Sequence, residues 1–271
     1  MFRSSLPRLL GALAVKLLVS AATLAQPVGP LYPDAPFPGA RTPAAVVRGE
    51  EPATLLRALY GVRGANRIAD ANACGRTPCS LRLVASEAWA EEDGREMMLL
   101  VGAAEPRAAA HATGAVLGIA LLARTGTGWQ LRAGSPAVDV IGAWGEAPPV
   151  GFVLAGGFGR GVVASPEVTG QGVSLASWHL YLPVGGKIRK VLQLEAAQES
   201  IAACARNDTA CRRRADEQDF TSTVETEPAA DGGVDVAQAI TPASPAGPPA
   251  MIRRWHIAPD GRVTQVGGRN R

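Results

Sequence analysis

The chain has 271 residues, with 27 lysines and arginines against 24 aspartates and glutamates, and three histidines. Three of those bases and none of the acids fall within residues 1–25, so residues 26–271 are formally neutral; the basic balance of the whole chain is no argument for a nucleic acid or an anionic membrane as partner. At this length a sizeable core is within reach, and after residue 25 no apolar run approaches the ~20 residues a membrane helix needs; the longest, 114–123, stops at ten.

Residues 1–25 have the pattern of a secretory signal. Arg3 and Arg8 precede a mostly apolar stretch, and Thr23, Leu24 and Ala25 put small residues where a signal peptidase reads them, with the cut between Ala25 and Gln26. Lys16 interrupts the apolar stretch, and the pieces on either side are too short to anchor the chain in a bilayer. Export to a periplasm or to the extracellular space is therefore expected. Four cysteines behind such a leader read as disulfides. Of three pairings, the local ones, Cys74 with Cys79 and Cys204 with Cys211, are favoured because turn-forming residues separate each pair. A zinc site built from all four thiolates is disfavoured by spacing and compartment.

Residues 26–52 form a linker, with seven prolines from Pro27 to Pro52 that exclude a helix or central strand. Residues 53–271 read as a single mainly-β domain. It opens with a short helix: Glu50 and Glu51 suit a helix N-terminus, Pro52 a first turn, Leu55, Leu56 and Leu59 share a face, and Gly61 ends it. This helix is expected to pack on a sheet. From Leu81 the pattern turns to strands: a hairpin 81–89 with 97–103, then 115–123 pairing with 129–132, and shorter pieces at 138–141, 151–155 and 161–164. The segment 172–182 alternates most clearly, with Ala176, Trp178, Leu180 and Leu182 on one face and Ser177, His179 and Tyr181 on the other. Its antiparallel partner is 187–195, followed by 220–225, 234–240, 251–257 and 263–266. Many short strands without alternating helices predict an antiparallel sandwich or curled meander with one N-terminal helix.

Motifs that carry chemistry are sparse. There is no G-x-S-x-G elbow, and His111, His179 and His256 are the sole imidazole bases, widely spaced along the chain. No pair of them has metal-ligand spacing, and no metal or cofactor is expected. Glu87 beside Trp89, and Asp139 and Glu146 flanking Trp144, are read as solvated acids rather than a glycosidase pair, because aromatic platforms are scarce. Gly156-Gly-Phe-Gly-Arg-Gly161 lacks the Lys-Ser/Thr of a phosphate loop and reads as a tight bend. Arg212, Arg213 and Arg214, balanced by Asp216, Glu217 and Asp219, read as a solvated face. The remaining binding candidates are Trp144 and Glu146 in a Gly/Pro-rich loop, with Trp144 read first as core, and His179 with Tyr181 on a polar strand face. The expected function is a non-enzymatic binding or interaction module for a small ligand or a protein; the alternative is a hydrolase using one of the three histidines.

Overall fold

The computed structural model describes Leu55 and residues 79–126, 128–200, 203–245, 247 and 249–270. The expected signal, linker and most of the expected first helix lie outside these residues. The architecture is mostly β, in two antiparallel sheets, as the alternation predicts.

The first sheet is a four-stranded meander, β1 (Cys79–Ala90), β2 (Glu96–Pro106), β3 (Ala115–Thr125) and β4 (Gly128–Ile141), in chain order. The second contains β5 (Val150–Leu154), β6 (Arg160–Ala164), β7 (Glu167–Gly170), β8 (Val173–Val184), β9 (Lys187–Glu199), β10 (Phe220–Pro228), β11 (Val234–Pro242), β12 (Met251–Ile257) and β13 (Val263–Asn270). Its order is β13-β12-β11-β10-β9-β8-β6-β5, with β7 paired to the start of β8. This sheet curls, and Thr226 on β10 donates to the Leu154 carbonyl at the end of β5 at 3.1 Å.

Strand periodicity places the core. Leu99, Val101, Leu117 and Ile119 of the first sheet join Phe152, Val162, Leu180 and Leu182 of the second in one buried cluster. The alternate residues of β2 and β3 face the other way, and there Met98, Leu100 and Leu122 surround Leu55, which is helical and buried. Leu55 thus covers the outer face of the first sheet.

The one helix of seven or more residues among the described ones is not N-terminal. It is α1 (Thr209–Gln218), inserted between β9 and β10. Asp208 caps it by accepting the Cys211 amide at 2.8 Å, and the Cys204–Cys211 disulfide ties its first turn to the preceding loop. Ala215 is its sole buried residue, so no apolar stripe announces it. The triple-arginine run lies on this solvated helix.

Two expected pieces, 129–132 and 138–141, are one strand. Pro136 lies inside β4, an edge strand, at an irregularity where Leu117 pairs with Asp139 while Ile119 pairs with Ser135. A proline is tolerated there because the ladder is already broken.

Candidate functional site

The polar face of β8 meets β4 across the sandwich. Asp139, just beyond the β4 irregularity, reaches His179 and Tyr181 as a hub. Its Oδ2 accepts the Tyr181 hydroxyl at 2.8 Å and the His179 Nδ1 at 3.1 Å, and pairs with the Lys190 Nζ of β9 at 2.9 Å. Its Oδ1 accepts the Val140 amide at 2.9 Å. With Nδ1–H given to Asp139, the His179 Nε2 presents its lone pair to the Ser177 hydroxyl, 3.1 Å away. Ser177, His179 and Asp139 therefore form a continuous hydrogen-bonded chain spanning both sheets.

Burial alone would raise the Asp139 pKa, but hydrogen bonds from His179, Lys190 and Tyr181 outweigh it and hold this carboxyl well below the usual carboxylate range. Burial, then the hydrogen bond and charge of Asp139, push the Tyr181 phenol far above its ordinary value. Asp139 stays an anion and Tyr181 stays neutral across the working pH range. Tyr181 is 1% exposed, so its hydroxyl belongs to the hub and is closed to a ligand.

Beside the hub a cleft of about 500 Å³ opens between the sheets. Val140 and Ile141 of β4, Val168 of β7 and Phe220 of β10 give it apolar walls, while Ser177, His179, Gln193 and Glu195 form a polar side. The Ser177 amide donates to the Pro166 carbonyl at 3.0 Å. That bond occupies the Ser177 amide, so it is not free to serve an oxyanion.

The other binding candidates lie elsewhere. Trp144 is not core but 60% exposed, at a tight turn, and its ring forms a T-shaped pair with His111, the centroids 5.0 Å apart. Trp144 and Glu146 line a separate hollow of about 300 Å³ that shares Gly142 with the cleft. His256 sits on β12 between Asp235 (2.8 Å) and Asp231 (3.1 Å) in an exposed cluster remote in sequence from the hub. Its hydrogen bond to Asp235 leads in raising its pKa, with the one to Asp231 adding to it.

The remaining acids resolve into structure. Glu87 is paired with Arg160 of β6 at 2.9 Å across the sandwich, both nearly buried, and the guanidinium lies over Trp89 at 4.9 Å. Glu91 accepts the Trp89 indole N–H, and Asp93 is held by Arg95. The glycine-rich segment forms a 3₁₀ turn, Gly156–Phe158, joining β5 to β6. Gly156 and Gly157 press against the carbonyls of Gly233 and Gly232, where no Cβ fits. Cys79 is a free, buried thiol at the start of β1; Cys74 lies outside the described residues.

Sequence reading found His179, Ser177 and Tyr181 on one face. It missed that Asp139 and Lys190 complete the group, having placed Asp139 with Trp144. The only local signal for this was Pro136, which marks β4 as an irregular edge. The chain, an antiparallel β sandwich with an anchored polar hub at its inter-sheet cleft, matches no family model, no curated protein and no solved structure.

Proposed function

We propose that this chain is an exported binding protein that takes a small ligand in the cleft between its sheets. The observation that carries this reading is the cleft itself: apolar walls with one polar side, the form in which burial supplies affinity and a few fixed groups supply orientation. His179 and Ser177 are the orienting groups, because the Asp139 hub fixes the imidazole before any ligand arrives. The leader pattern of residues 1–25 and the Cys204–Cys211 disulfide support a periplasmic or extracellular setting.

The test is the native mass of the protein purified from the exported fraction. A bound small molecule lost on denaturation, and lost from His179→Ala while the fold persists, is the expected result. A bare native mass, together with no ligand-induced thermal stabilisation across a metabolite panel, would overturn it.

A second reading, a serine hydrolase, is favoured by the Ser177–His179–Asp139 distances. Its step would be attack of the Ser177 oxygen on an ester carbonyl, with His179 taking the proton, the alcohol leaving and water then releasing the acid. The Ser177 amide bonded to Pro166 weighs against it. A fluorophosphonate probe separates the two readings: labelling lost in both Ser177→Ala and His179→Ala would establish the hydrolase, and an inert Ser177 leaves the binding reading in place.

A further inference from the structure

The hollow at Trp144 carries an inference independent of the inter-sheet cleft. The turn is built to hold an indole out of the core. The Glu146 amide donates to the Ala143 carbonyl at 3.0 Å, and the two central residues, Trp144 and Gly145, have φ of 57° and 77°. Both positive values match a type I′ turn, and a bulky aromatic at the first of them is a conformation such residues rarely adopt. The surroundings enforce it. The Trp144 amide donates to the His111 carbonyl at 3.3 Å, and the Gly145 amide to the Thr113 carbonyl at 2.7 Å. A Cβ on Gly145 would lie 2.7 Å from that of Ala109, so the loop cannot relax by exchanging the two residues.

The hollow beside the indole is acidic and contains an idle hydroxyl. Glu146 and Glu167 are its charged lining residues, and among the described residues no lysine or arginine lines it. Ser165 forms part of its wall. That residue is 2% exposed and its Oγ has no hydrogen-bond partner among the described residues, although its amide is anchored to the Pro149 carbonyl at 3.0 Å. A buried hydroxyl left without a partner is costly unless something completes it. Pro148 and Pro149 make the remaining wall stiff and apolar.

We propose that this hollow is a binding site for an organic ammonium ion. The indole face offers cation–π attraction, the two carboxylates supply the counter-charge, and Ser165 serves a polar substituent of the ligand. A neutral sugar would use the same indole as a platform and donate hydroxyls to the carboxylates, but it would leave their two negative charges uncompensated. An anion is excluded by the sign of the lining. The volume of about 300 Å³ holds a choline-sized head group with room to spare.

The probe is choline chloride, titrated into the whole protein by calorimetry and by tryptophan fluorescence, with neutral 3,3-dimethylbutan-1-ol as the uncharged isostere. Choline is expected to bind at least about tenfold more tightly than the isostere, in keeping with a cation–π contact reinforced by charge. Trp144→Ala should abolish the binding, and Glu146→Gln combined with Glu167→Gln should weaken it about tenfold and remove its salt dependence. Ser165→Ala should weaken choline binding without lowering the melting temperature, because it removes a hydroxyl that has no partner in the empty protein. Equal binding of choline and its isostere, binding that survives Trp144→Ala, or no binding of choline to a folded protein would each overturn the proposal. The exposed positions of Trp144 and Glu146 keep these variants folded, and unchanged thermal melts verify it.

Discussion

The molecule contains two aspartate–histidine clusters that differ in almost everything except their residue types. At His179 a single aspartate from the opposite sheet gathers a histidine, a tyrosine and a lysine onto one oxygen. At His256 two aspartates, Asp231 in the β10–β11 turn and Asp235 on β11, flank one half-buried imidazole. The first cluster is assembled by sheet packing and excludes water from most of its atoms; the second is assembled by local register, Asp235 lying directly opposite His256. Polar groups taken out of water must be satisfied together, so losing one member strands the rest. Polar groups left in water are replaced by water.

That contrast is broken most forcefully at the shared aspartate. Asp139→Asn should lower stability by about 3 kcal/mol in urea denaturation, because it removes the charge that Lys190 and His179 face in a partly dry setting. Asp235→Asn should leave the denaturation midpoint unmoved at a pH above the His256 titration, where the imidazole is neutral. Equal losses at the two positions would show that burial is not what separates the clusters.

A smaller effect is expected at Tyr181→Phe, about 2 kcal/mol, for the loss of one hydrogen bond to a charged acceptor. The same change should raise the Asp139 pKa, since the phenol is one of the donors that depress it. Carboxyl carbon shifts recorded through acid titration would follow that directly.

The pH response sharpens the comparison further. The His256 pKa is raised above its usual 6.5, so its contribution to stability is complete below that pH and is lost as pH rises through the folded-state value. Asp231 is depressed below 3.8, chiefly by the Gly233 amide, so its contribution is present above 3.8 and lost as pH falls through the lower folded value. Asp139 behaves in the sense of Asp231. Imidazole proton titration should place the His256 midpoint above 6.5, and high salt should move it back toward 6.5 because the cluster is solvated. The smallest effect belongs to Ser177→Ala, within about 0.5 kcal/mol of the parent, because its hydroxyl only terminates the chain of bonds.

Legibility in the sequence followed the same divide. The alternation in 172–182 put Ser177, His179 and Tyr181 on a common face, and they share it in β8. Asp139 was not legible as their partner, because forty positions separate it from His179 and no pattern reports which edge of one sheet lies over another. The break expected near Pro136 was instead an irregularity within a single strand, since an edge strand tolerates a missing donor. Trp144 was read as core from its composition alone, and the positive φ that turns it outward is a property of the closed turn. Helix α1 escaped notice because a helix with one buried residue has no periodic stripe to detect.

The sequence by itself determined the mostly β class, the antiparallel pairing of neighbouring strands, the Cys204–Cys211 bridge and the two-sided character of β8. Each of these depends on contacts between residues close along the chain, or on a period of two that burial writes directly into the order of amino acids. The tertiary structure decided the rest: that Asp139 and Lys190 complete the His179 hub, that Glu87 is spent on Arg160, and that Trp144, Glu146 and Ser165 share one hollow. These depend on how two twisted sheets lie over each other, and that is fixed by the packing of the whole core rather than by any segment of it.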